Sequence, residues 1–196
     1  MTEGTFDPGP MLEVLNRHHV HYVVIGGYAA QIHGSSRPTT DLDVTPGMDD
    51  DNLSRLADAL RDLDAHIRVP GIDEGLPWST DATALAGLQF ANLTTAHGDL
   101  DISFHPAGTD GYGDLVRSAA TRYVGDVQIQ VASLEDIIRS KTAAARPKDE
   151  RALPELEDLL RRSDTEHAPP APPRADAGRR VQGLPGRSPG ESGPRR

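Results

Sequence analysis

The sequence predicts an α+β domain in which helices flank a mixed β-sheet. Three observations carry that expectation. β-branched runs such as "VHYVVI" and "DLDVTP" alternate with leucine-spaced helical segments over residues 1–164. Two later pairs of runs, "LQFANLTT" with "DLDISF" and "RYV" with "VQIQVA", are separated by short Gly-containing turns, as in antiparallel hairpins. Neither a pure parallel sheet nor a helical bundle accommodates both features.

Taken in order, "PMLEVLNRHH" reads as a short amphipathic helix with Leu12 and Leu15 inward, and "VHYVVI" as a strand. "YAAQIHG" is a short helix ended by Gly34, and "DLDVTP" a second strand. In "DDDNLSRLADALRDLDAHI", Leu53, Leu56, Leu60 and Leu63 recur at helical spacing behind an acidic first turn. "GIDEGLPWSTD" reads as a loop. The first hairpin turns at "AHG", and "YGDLVRSAA" follows as a helix. The second hairpin turns at Gly125-Asp126. "SLEDIIRSKTAAA" is a helix opened by a Ser133/Asp136 capping box and broken by Pro147; "KDERALPELEDLLRR" supplies the last helix. From residue 165 the chain turns rich in Pro, Gly and Arg, with few large apolar residues. Residues 165–196 are therefore expected to be a disordered tail, which leaves 1–164 as the domain.

The net charge of −10 argues against indiscriminate nucleic-acid binding, though not against a local basic groove. The absence of cysteine removes disulfides and thiolate metal sites. No signal-like start and no membrane-length apolar run are evident, so a cytoplasmic protein without a membrane partner is expected. Only two of the 20 Lys and Arg residues are lysines, Lys141 and Lys148. The rarity of lysine reflects either a GC-rich genome that prefers arginine codons or two positions that need a compact ammonium.

Asp41 and Asp43 lie two apart in a strand, so they share a face while Leu42 and Val44 face the core. Their roots are about 6–7 Å apart at the usual rise of a strand. Such carboxylates repel each other, and a divalent cation between them removes the repulsion. Mg²⁺ suits one or two carboxylates together with substrate phosphates. Gly26-Gly27, between a strand and a helix, allows close approach of a phosphate to free N–H groups. Asp99 and Asp101 repeat the alternation, and a third carboxylate from a neighbouring strand would complete a two-metal site.

These residues resemble a known family. Ile25-Gly26-Gly27, thirteen residues, then Asp41-Leu42-Asp43-Val44 is similar to the nucleotidyltransferase signature of the DNA polymerase β superfamily. The finer pattern resembles the AbiEii/MenT-type toxin nucleotidyltransferases. Gly34, Ser35, Arg37, Thr39, Asp41 and Asp43 fall on the first block, and Leu100-Asp101 on the second. Lys141 falls on the third, and Arg146-Pro147-Lys148-Asp149 on the fourth. Ala152 stands where the family often repeats an acid. The resemblance implies a polymerase-β-type core and NMP transfer from an NTP to an acceptor hydroxyl with release of pyrophosphate. It implies Asp41, Asp43 and Asp101 as ligands of Mg²⁺, two ions in all, with Lys141 joining them in catalysis. Gly26, Gly27, Ser35, Ser36, Arg37, Thr40, Lys141 and Asp149 are the implied nucleotide contacts. The implied acceptor is the 3′ end of tRNA, and the implied partner an antitoxin.

Lys141 lies at i+7 from Leu134, in line with the apolar Ile137 and Ile138. There a lysine either meets an anion or snorkels. Asp149 either caps the last helix or orients Lys141 or a ribose. Arg37 either clamps a phosphate or pairs with surface acids. "HHVH" is not a zinc pattern, and no Walker motif occurs. Trp78 suits the core edge better than a base-stacking role. Two alternatives stay open: transfer to an aminoglycoside-like small molecule or a protein hydroxyl, and a catalytically silent nucleotide-binding or antitoxin-like module.

Overall fold

A computed structural model describes residues 6–167. Chain order begins with α1 (Pro8–Arg17), which Asp7 caps by accepting the Gly9 N–H at 3.1 Å. Met11, Leu12, Val14 and Leu15 of α1 are buried. β1 (Tyr22–Ile25) passes directly into α2 (Gly26–Ile32), two residues earlier than the expected helix. The start is possible because Gly26 adopts φ +68°, a conformation that glycine tolerates.

β2 (Asp41–Pro46) matches its expected bounds. α3 (Asp50–Asp62) is capped by Asp49, which accepts the Asn52 N–H at 2.9 Å. The expected helix continued to Ile67, but Asp64 takes φ 47° and turns the chain into β3 (His66–Val69). β4 (Ile72–Leu76) then occupies part of the segment expected to be a loop. Its acidic residues mostly face outward. Backbone pairing with β3 at the sheet edge holds it, a signal that apolar periodicity does not carry.

α4 (Ala82–Ala86), absent from the sequence reading, is one turn capped by Asp81. β5 (Phe90–Thr95) and β6 (Gly98–Ser103) form the first expected hairpin. The helix expected over 112–120 shortens to α5 (Tyr112–Leu115). β7 (Ala120–Val124) and β8 (Val127–Val131) form the second hairpin. α6 (Leu134–Ala144) starts at the Ser133 cap, whose Oγ accepts the Asp136 N–H at 3.1 Å. Ala145 closes it in the left-handed region. The last helix is two pieces, α7 (Pro147–Glu150) and α8 (Leu153–His167). α8 passes the expected boundary at 164, and the remainder of the expected tail lies outside the described residues.

The eight strands form one sheet in the order β4-β3-β5-β6-β2-β1-β8-β7. β2 sits inside it, antiparallel to β1 and parallel to β6. Leu42, Val44, Leu100 and Ile102 join the apolar side chains of α1 and α3 in a single core. Full burial of one such side chain is worth about 1.5–3 kcal/mol. This face locks the register, so the alternate residues of β2 and β6 are committed to the opposite face. Trp78 packs at the core edge and donates its Nε1–H to the Ala65 carbonyl at 3.0 Å, as expected. Among the described residues no helix is long and apolar enough to cross a membrane.

Candidate active site

The parallel pairing of β2 and β6 sets Asp41 beside Asp99 and Asp43 beside Asp101. Asp41, Asp43 and Asp101 each offer a carboxylate oxygen, and these atoms lie within 4.8 Å of one another. All three side chains are partly buried. Burial, then the charges of Asp41 and Asp101, push the Asp43 carboxyl up to about 7, against the opposing pull of the Gly27 N–H and Lys148. This donor set fits a hard divalent cation: carboxylate oxygens converge, and their repulsion is what a dication relieves.

Both glycines are dictated by what they touch. A methyl group on residue 26 would overlap the Asp43 carboxylate, and one on residue 27 would sit 2.6 Å from Thr39 Oγ1. The Gly27 N–H donates to Asp43 Oδ2 at 3.4 Å. Thr39 donates its hydroxyl to Asp41 Oδ1 at 2.6 Å and so orients that carboxylate. Thr39 is therefore a positioning residue for the triad, while its neighbour Thr40 lines the adjoining cavity.

That cavity, about 390 Å³, is lined by Gly26, Gly27, Ser35, Arg37, Thr40, Asp41, Asp43, Asp101, Lys141, Arg146, Lys148 and Asp149, among others. Four cations thus converge beside the triad. Lys141 Nζ donates to Asp149 Oδ1 at 3.0 Å, and Arg146 Nε to Asp149 Oδ2 at 2.6 Å. Asp149 is fully buried. Burial raises its pKa, but the hydrogen bonds from Arg146 and Lys141 outweigh that and hold it below the usual range. Asp149 thus bonds both Lys141 and Arg146, while Arg146 takes the N-cap position of α7.

Ser36 is not among the residues that line this cavity. Its N–H and hydroxyl both donate to Glu155 Oε1, at 2.6 and 3.0 Å, and Ser35 Oγ donates to the same oxygen at 3.2 Å. These bonds, the Ser36 N–H first, hold the Glu155 carboxyl below its ordinary value. Helix α8 thereby pins the loop carrying Arg37, whose guanidinium also donates to the Arg151 carbonyl at 3.2 Å.

Sequence reasoning missed Arg68. From β3 it donates to Asp101 Oδ1 at 2.6 Å and pairs with Asp99 Oδ2 at 2.5 Å. Burial raises the Asp101 pKa and Arg68 opposes the rise. The period-two pattern of "HIRV" places Arg68 on the polar face, yet only the long-range order of the sheet brings β3 near β6. A second cavity, about 430 Å³, meets the first at Gly26, Asp43, Asp101, Lys141 and Arg146.

A carboxylate triad on a sheet, a Gly-Gly helix start and a basic cavity beside them are a donor set and an anion seat of the kind nucleotidyl transfer needs. The model of the AbiEii family, described as nucleotidyl transferase AbiEii toxin of a type IV toxin–antitoxin system, matches residues 13–155. The chain belongs to this family of nucleotidyltransferases. The lincosamide antibiotic adenylyltransferase LnuA, solved with lincomycin bound, is similar in fold. It has a TM-score of 0.52 at 16% identity, over 76% of this chain and 94% of that one. The antibiotic-resistance factor ANT(2'')-Ia gives a TM-score of 0.44 at 16% identity, over 80% of this chain and 91% of that one. The Thermotoga maritima protein TM1012 gives 0.46 at 15%, over 80% and 89%. No curated protein matches the sequence.

Proposed function

We propose that the protein transfers a nucleoside monophosphate from an NTP to the 3′-terminal hydroxyl of tRNA, with Mg²⁺ at the aspartate triad. The observation that carries this reading is the meeting of the triad with a four-cation cavity at Asp43 and Asp101. Arg37, Lys141, Arg146 and Lys148 suit a triphosphate tail, and the Gly26-Gly27 backbone permits its close approach. Asp41, Asp43 and Asp101 would hold two Mg²⁺ ions, which when bound supply Lewis-acid stabilisation of the phosphoryl charge.

The acceptor oxygen forms a bond to the α-phosphorus in line, and the α–β bridging P–O bond breaks. Pyrophosphate departs with that electron pair, into the basic cavity. Asp101 accepts the hydroxyl proton. Lys141, held by Asp149, meets the charge that builds on the leaving group. The basic residues Arg139, Lys141, Arg146, Lys148 and Arg151 fall close together in the sequence of an otherwise acidic protein, and Lys141, Arg146 and Lys148 line the basic cavity, which suits a local contact with an RNA end. In this reading residues 1–164 are the catalytic unit, 165–196 an Arg-bearing appendage, and the cytoplasm the place of reaction. A cognate antitoxin restrains the enzyme, in keeping with the family.

The test is incubation of the protein with each α-labelled NTP, Mg²⁺ and, separately, total RNA, total protein and aminoglycosides. Label at the 3′ end of tRNA is the expected result. Label only on a small molecule or on protein would replace the acceptor.

A further inference from the structure

The geometry points to the second cavity as the seat of the acceptor's terminal nucleotide, with Phe90 as the face on which its base stacks. This inference rests on the RNA 3′ end as acceptor. Phe90 is 64% exposed. The other large exposed apolar residues, Ile72, Leu76 and Tyr123, lie on the edge strands β4 and β7. Phe90 instead begins the interior strand β5, which pairs with β6 at this residue and with β3 further along, at Leu93 and Thr94. It lines the 430 Å³ cavity that opens onto Asp43 and Asp101. Its own side neighbours are polar: it pairs with Ser103, and Asn92, two residues along the same face, pairs with Asp101. A flat apolar face flanked by an amide and a hydroxyl, beside the reacting carboxylates, suits a heteroaromatic ring with polar edges.

The direction of the reaction selects the occupant. The basic cavity is lined by Thr39, Thr40 and Asp41 at the start of β2. The second is lined by Ile102 and Ser103 at the end of β6. Because β2 and β6 are parallel and in register, the two cavities extend in opposite directions along the strands from Asp43 and Asp101. In-line displacement places the incoming oxygen opposite the leaving group. With pyrophosphate leaving into the basic cavity, the acceptor enters from the side of Phe90. A polycationic small molecule is disfavoured there. Asp136, the acid of this cavity outside the triad, already pairs with Arg139 at 2.8 Å and accepts the Ser133 hydroxyl.

Steady-state transfer to tRNA, together with Mg²⁺-dependent NTP binding by calorimetry without acceptor, tests this on Phe90→Ala and Phe90→Trp. The expected result is a roughly tenfold rise in KM for tRNA in F90A, the scale of one lost base–aromatic stack, with recovery in F90W. The NTP affinity of F90A stays at the wild-type value. An unchanged KM for tRNA overturns the inference, and so does a weakened NTP affinity, which would assign the ring to the nucleotide's own base. If wild-type protein labels no RNA, the acceptor reading and this inference fall together; if wild type and F90A label tRNA alike, only this inference falls.

Discussion

Asp43 and Asp101 lie side by side across the parallel β2–β6 pair, on the face opposite the core residues Leu42 and Leu100. Sheet register, which the apolar face enforces, therefore also brings the carboxylates together. The Asp43 carboxyl is driven up to about 7 by burial and by its acidic neighbours, so the site carries electrostatic stress until a cation joins it.

That stress has a sign. The folded chain holds a proton on Asp43 up to about pH 7, whereas the unfolded chain releases it near 3.8. Stability from this group therefore falls as pH rises from about 4 to 7 and stays low above it. Asp43→Asn is expected to melt several degrees higher than wild type at pH 8 without metal, with the difference closing near pH 4. Mg²⁺ at a hundredfold excess over its pH 8 Kd is expected to stabilise wild type by about 2.7 kcal/mol at pH 8, less at pH 6, and D43N much less at either pH. Thermal melts across pH, with and without Mg²⁺, check both statements.

Gly26 is fixed twice, by its φ of +68° and by the Asp43 carboxylate in the space a side chain would need. Gly26→Ala is expected to cost about 1–3 kcal/mol of stability and to abolish transfer. Gly27→Ala presses on the Thr39 side chain alone, its hydroxyl and its Cβ, so its fold should survive while the Thr39–Asp41 hydrogen bond and much of the activity are lost. Denaturant melts beside transfer assays separate the two variants.

Lys141 and Asp149 form a pair in which the carboxylate is fully buried. Lys141→Ala leaves Asp149 with Arg146 alone and should destabilise by about 1.5–3 kcal/mol, with a raised KM for NTP. Asp149→Asn removes a group whose folded pKa is depressed, so stability that wild type loses as pH falls through the carboxylate range should be lost less steeply. Acid titration of the melting temperature reads this directly.

Arg68 opposes the burial-driven rise of the Asp101 pKa. Arg68→Met should push that carboxyl higher still and shift the acid limb of the activity–pH profile upward, with Arg68→Lys intermediate. An unmoved limb would show that Asp101 is not the titrating group.

The site was legible in the sequence to the extent that it follows local periodicity. Alternation put Asp41, Asp43 and Asp101 on polar faces, and the helical stripe through Leu134 and Ile137 carried Lys141 to the cavity. The Ser36–Glu155 and Arg68–Asp101 hydrogen bonds were not legible because the partners stand 119 and 33 residues away. β4 escaped for a related reason: an acidic edge strand is defined by its neighbour's backbone and not by its own apolar pattern.

In the proposed function the aspartate triad performs nucleotidyl transfer. Its most direct test is pyrophosphate release and RNA labelling from α-labelled NTP by wild type, Asp41→Asn and Asp101→Asn, each confirmed folded by its melt. The expected result is stoichiometric pyrophosphate and end-labelled RNA from wild type, and a loss of at least about 10²–10³-fold in both variants. Transfer at the wild-type rate by either folded variant would contradict it.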